Sequence, residues 1–190
     1  IISKTGLVID PYFSATKIKW IIENIKEAKE SLSKGNLLVG TIDTWLIWNF
    51  TKGSEHSTDV TNASRTMLYN IVKDTWDEEL LDIFALPKSI LPYVKSSVDD
   101  FGKIASDFFG NEIQIGGVAG DQQAASVGQS CFKEGMVKST YGTGCFLLMN
   151  TGSNIIKSQS NLLSTTAYNI NGNKSYAIEG SIFNAGTVVQ

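Results

Sequence analysis

Two glycine-bearing segments hold the residue types best suited to chemistry. In Gly116-Gly117-Val118-Ala119-Gly120-Asp121-Gln122-Gln123 a strand end turns directly into a helix, with Asp121 at the corner. Such a corner leaves backbone N–H groups without helical partners and directs its side chain toward a cleft. Asp121 therefore reads two ways. It is either a helix cap favoured by the macrodipole, or a carboxylate that accepts a proton from a substrate hydroxyl, with Gln122 and Gln123 orienting that substrate. Tyr141-Gly142-Thr143-Gly144 is likewise either a hairpin turn or a loop that brings backbone N–H groups and a hydroxyl to phosphate oxygens. It matches neither G-x-x-x-x-G-K-S/T nor G-x-G-x-x-G. Tyr12 and Phe13, after Asp10-Pro11, are the kind of aromatics that pack at a helix entry. Arg65 reads as a site cation or, preferably, as a member of a structural ion pair.

Composition narrows the chemistry further. The 190 residues are 42% apolar, enough for a real core, and 16 Lys and Arg against 19 Asp and Glu give a net charge of −3. That balance excludes intrinsic disorder and provides no basic surplus for a phosphate backbone, so no nucleic-acid partner is expected. Charged residues make up only 18%, against about 25% in an ordinary soluble domain, which suggests that part of the surface is normally covered. With His56 as the single histidine, and with Cys131 and Cys145 forming neither a C-x-x-C pair nor a disulfide framework, zinc sites and histidine-dependent nucleophilic catalysis are disfavoured. No protein metal ligand set is expected. No apolar run reaches the 18 or so residues of a membrane span, and the expectation is a cytoplasmic protein.

The elements that must position these residues follow from periodicity. Ile18, Ile21, Ile22, Ile25, Ala28 and Leu32 predict one amphipathic helix over Ser14–Leu32. A second is predicted over Thr41–Thr51, with Ile42, Trp45, Leu46 and Phe50 on one side, and a third over Asp77–Phe84, begun by Asp74 or Asp77 and stopped by Pro87. Residues 67–72 and 90–94 read as extended. A strand at 112–115 runs into the Gly120-Asp121 corner and a helix over Gln122–Cys131. Beyond Gly135 the pattern is a β meander: 136–141, 145–150, 162–168 and 174–178, the last two joined across Asn171-Gly172, a strong hairpin signal. A domain boundary is placed between Cys131 and Gly135.

Several segments in order resemble the FGGY carbohydrate kinases, and among them the branch that acts on glycerol. They are Asp10–Ile21, Gly40–Trp48, Thr58–Leu68, Ala119–Ala125 and Ser139–Phe146. The resemblance implies an α/β, actin-like (ribonuclease-H-like) fold. Residues 1–131 would be the C-terminal part of the first domain and residues 132–190 the opening strands of the second. It also implies transfer of the γ-phosphoryl of ATP, with Mg2+, to the terminal hydroxyl of glycerol, by a parent protein that is a homodimer or homotetramer. By the family pattern Asp121 is the catalytic base, Gln122 and Tyr12 hydrogen-bond glycerol, Phe146 lines the apolar wall, and Thr143, Gly142 and Gly144 meet the nucleotide phosphates.

Departures shape the expectation. The first phosphate loop and an Arg-Glu pair of the family would lie before Ile1 and the adenine segment after Gln190, so a piece limited to these residues is expected to be inactive alone. In the loop that here reads Ser106–Asn111, some bacterial members of that branch bind fructose 1,6-bisphosphate, and Gram-positive members, which this loop resembles more, carry a histidine that is phosphorylated. Asp107 stands at the matching position, and neither control is expected. The alternatives are a sibling kinase for a sugar such as xylulose or gluconate, and a non-catalytic actin-like nucleotide-binding module.

Overall fold

The structure, a computed structural model, describes residues 1–188 apart from the side chain of Thr187. The apolar stretch that the sequence shows over Ile182–Val189 ends outside the described residues. A single helical turn, α1 (Ile2–Thr5), ends at Gly6 in the left-handed conformation. It leads through the buried Leu7 and Phe13 to α2 (Ser14–Asn24) and α3 (Lys26–Ser33). The single helix expected over Ser14–Leu32 is thus two, broken at Ile25 (φ −103°, ψ 115°). The adjoining Asn24 turns its side-chain amide back to the Trp20 carbonyl, the kind of local bond that competes with helix continuation. Ile18 and Ile22 pack on the core, while Ile21 and Ile25 of the same predicted stripe are exposed.

In α4 (Ile42–Phe50) the buried face is also not the predicted one. Thr44 and Ile47 are buried, whereas Ile42 and Trp45 are 70% and 58% exposed. The helix is apolar nearly all round, so periodicity cannot select its packed side.

β1 (Ser57–Asp59) passes directly into α5 (Val60–Ala63), capped by the Asp59 carboxylate on the Asn62 amide. β2 (Tyr69–Asn70) and β3 (Thr75–Trp76) form a two-residue ladder. It is shorter than the extended run expected from residue 67, because Met67 itself has φ 62°. α6 (Glu78–Phe84) begins at Asp77, whose carboxylate accepts the Leu80 N–H. β4 (Tyr93–Lys95) pairs in parallel with β1. β5 (Lys103–Ile104), α7 (Ser106–Phe109) and β6 (Ile113–Gln114) follow, with β5 and β6 antiparallel.

α8 (Asp121–Gly128) stops short of Cys131. The last element is a four-stranded antiparallel sheet of β7 (Val137–Tyr141), β8 (Cys145–Gly152), β9 (Leu163–Ile170) and β10 (Asn173–Ile182). Its order is β7-β8-β10-β9 rather than a sequential meander. The predicted hairpin is present, with Asn171 and Gly172 both at positive φ (51° and 78°), as a tight two-residue turn requires. β10 folds back between β9 and β8, and β9 becomes the outer strand.

That placement joins the two halves. Leu163 of β9 belongs to the core cluster built by Leu7, Phe13, Val60, Leu68 and Tyr69, and Ser64 of the α5 segment hydrogen-bonds Thr165. A second small cluster of Leu148, Ala167 and Ala177 fills the sheet.

Candidate active site

The corner that presents Asp121 is built from a buried carboxylate upward. Asp59 is fully buried, and burial pushes its pKa above the usual carboxylate range against the pull of its hydrogen bonds. It accepts from the Thr61 and Ser97 hydroxyls, both at 2.8 Å, and from the Asn62 N–H and side-chain amide at 3.0 and 2.9 Å. Thr61 then accepts the Gly120 N–H at 2.8 Å, and Ser97 accepts the Asn169 N–H at 3.1 Å while its own carbonyl accepts from Val118. One carboxylate so ties β1, α5, the end of β9 and the loop before α8.

Space at Gly120 is tight. A Cβ there would lie 2.7 Å from Oε1 of Gln123, a side chain that is itself buried.

Asp121 is the first residue of α8, and the cap position belongs to Gly120, with no side-chain capping bond. The carboxylate stands in the first turn and serves a free N–H of that turn, as the helix-start reading expects, and its exposure also fits the second reading. The carboxylate is exposed and accepts the Gln122 N–H at 2.8 Å and its side-chain amide at 3.3 Å. The Gln122 carbonyl oxygen accepts from Lys138, which also donates to Thr140 at 2.9 Å.

The 142–144 turn docks on the segment after β10. Ala185 N–H donates to the Thr143 carbonyl at 2.8 Å and Gly186 N–H to the Gly142 carbonyl at 3.0 Å. Thr143 is exposed at its tip. A Cβ on Gly144 would stand 2.8 Å from the Ile182 carbonyl oxygen, whereas one on Gly142 would meet nothing closer than 3.8 Å.

Tyr12 and Phe146 come together on a third surface, a cavity of about 270 Å³ that Phe13, Arg65, Glu179 and Phe183 also line. The Tyr12 ring lies 5.4 Å from Phe13 and 5.9 Å from Phe183. Arg65 is ion-paired with the buried Glu179 at 2.8 Å and sits over the Phe13 ring, the structural role preferred for it. Asp121 and Gln122 do not line this cavity. A larger cleft of about 730 Å³, lined by Ile21, Trp45 and Trp48, contains none of the predicted site residues.

Sequence reasoning assigned no role to Asp59, Lys138, Glu179 or Phe183. The available signal was a charge inside an apolar strand pattern, Lys138 after Val137 and Glu179 after Ile178. Such charges are rarely buried without a partner.

Comparison with known proteins gives the class. Residues 1–128 match the family model "FGGY family of carbohydrate kinases, N-terminal domain", and the chain belongs to that family. It is 58% identical to a glycerol kinase of Clostridium tetani over 99% of its own length and 38% of the relative's. It is 60% identical to a glycerol kinase of Clostridium botulinum over 98% and 38%. The chain thus spans a little over a third of the length of the curated relatives it matches.

Among solved structures it resembles a Plasmodium falciparum glycerol kinase crystallised with ADP, at TM-score 0.93 and 46% identity, over 99% of this chain and 38% of that one. A xylulose kinase from Lactobacillus acidophilus matches at TM-score 0.80 and 22% identity over 98% and 37%, which shows the shared fold. The α/β, actin-like fold expected from the sequence is the one observed. No helix among the described residues is long and apolar enough to cross a membrane.

Proposed function

We propose that the protein to which this chain contributes phosphorylates glycerol with ATP, giving sn-glycerol 3-phosphate and ADP. The observation that carries this reading is the near-complete match of the chain to glycerol kinases at 57–60% identity, with the exposed Asp121 carboxylate held at a helix start by a buried scaffold. The likeness to xylulose and gluconate kinases, near 20% identity, supports the fold and leaves the substrate to the closer relatives.

Asp121 is the base in this reading. As the new P–O bond forms, the proton of the terminal hydroxyl passes to its carboxylate, the bond between the β and γ phosphates breaks, and ADP leaves. The transition state is loose, so positioning and charge stabilisation supply most of the gain. Gln122 and Tyr12 hydrogen-bond the glycerol hydroxyls, and Phe146 covers its carbon edge. A small polyol offers only hydroxyls and a short hydrocarbon edge, and a site of a few polar groups on an aromatic wall suits it.

Thr143, Gly142 and Gly144 meet the nucleotide phosphates with backbone N–H groups and one hydroxyl. Magnesium would arrive with the nucleotide, where it neutralises phosphate charge.

We further assign residues 1–131 to the rear of the first FGGY domain and 132–190 to the start of the second, in keeping with a family match that ends at residue 128. ADP release by the full-length parent, with glycerol compared against xylulose and gluconate, tests the reading. A glycerol-selective rate supports it, and selectivity for a sugar overturns it.

A further inference from the structure

Lys138 is 1% exposed, and its burial pushes the ammonium pKa down. Among the described residues no carboxylate lies within ion-pair distance of it, although Glu179 on β10 and Asp121 on α8 face it and favour its charge. Glu179 is aligned with it by register: Lys138 and Glu179 both pair with Leu148 of β8, so the three side chains form one buried row across β7, β8 and β10. Glu179 is clamped in turn by Arg65 at 2.8 Å. Keeping an ammonium in such a place is costly. What it does there is donate to the Gln122 carbonyl oxygen and to the Thr140 hydroxyl.

An ammonium carries three donors and no acceptor, so it can hold only the oxygen end of the Gln122 amide. With that end fixed, the nitrogen must face Asp121, where it lies 3.3 Å from Oδ2. A glutamine at the start of an exposed helix, without such a partner, could present either end.

We propose that Lys138 is a positioning residue of the polyol site, locking Gln122 so that it offers a hydrogen-bond donor beside the base. The inference rests on the reading of Asp121 and Gln122 as base and glycerol ligand. Lys138 itself does not touch the substrate. Because the bond from Gln122 is made to bound glycerol as well as to the transition state, its loss belongs mainly in KM.

The test is a double-mutant cycle in the full-length parent with Lys138→Met and Gln122→Ala. The expected result is a rise of about tenfold in the glycerol KM for Lys138→Met, with kcat changed less than about threefold. In the Gln122→Ala background the same change should add less than about twofold, since its effect passes through that side chain. Equal effects in both backgrounds, or an unchanged KM, overturn the proposal while leaving the glycerol reading intact. Should the methionine variant fail to fold, Lys138→Gln, which keeps a donor without the donor-only constraint, carries the same cycle and the same criteria. If Asp121→Asn and Gln122→Ala leave glycerol kinetics unchanged, the underlying reading falls and this inference falls with it.

Discussion

The Gly120 amide and the Thr61 hydroxyl meet at 2.8 Å across 59 positions of chain. That one bond fastens the residue before the proposed base to a hydroxyl already held by the buried Asp59. The loop therefore inherits the rigidity of the core beneath it, and replacing Thr61 with Val should remove the link while keeping the side chain's volume. The expected outcome is a loss of about 1–3 kcal/mol in stability, from a buried carboxylate and a backbone N–H left short of partners. A fall in kcat/KM for glycerol of at least tenfold should accompany it. Thermal melts and steady-state kinetics on the full-length parent measure both.

Asp121→Asn keeps the size and the helix start but removes the proton acceptor. A fall in kcat of about 10²–10⁴-fold is expected, the usual span of general-base catalysis, with the glycerol KM changed only a few-fold. Retention of more than a tenth of the wild-type kcat would remove Asp121 from the role of base.

The two outer glycines of the turn should behave oppositely. Gly144→Ala drives a Cβ to 2.8 Å from the Ile182 carbonyl oxygen, a backbone atom that cannot swing aside, whereas Gly142→Ala enters open space. The KM for ATP should rise at least about tenfold in the first variant and less than about threefold in the second, as expected if backbone placement at this turn governs contact with phosphate. Titration of ATP at saturating glycerol decides it.

Asp77 gives a pH-dependent prediction. Burial pushes its carboxyl up, but the Asn70 amide, Lys4 and the Leu80 N–H together hold it at about 2, below the ordinary 3.8. A pKa depressed in the folded state means stability that is full above about 3.8 and is lost as the pH falls through about 2. Asp77→Ala should therefore cost about 1–3 kcal/mol at pH 6, as loss of a helix cap and of buried bonds, and much less at pH 2. Urea denaturation at the two pH values checks the difference, and equal losses at both would contradict it.

Much of this was legible along the chain because it is short-range. The Asp77 cap reaches Leu80 three residues on, the Asn171-Gly172 turn joins adjacent strands, and the corner at Gly120-Asp121 is written in one heptapeptide. The helix break at Ile25 and the buried side of α4 were not legible. In α4 apolar residues lie nearly all round, so which of them is covered depends on neighbours far away in sequence, and the break at Ile25 falls inside an unbroken apolar spacing, where the local Asn24 bond interrupts the helix.

The sequence by itself determined the fold class, the family and the residues offered for chemistry, since ordered motifs and turn chemistry are properties of contiguous residues. Only the tertiary structure decided the order β7-β8-β10-β9, and with it the row Lys138, Leu148 and Glu179. It also decided that Arg65 answers Glu179, 114 positions away, and that Lys138 holds Gln122. The physical reason is that strand register is chosen by burial of a whole face at once, so a charge within a strand acquires its partner only when the neighbouring strands are in place.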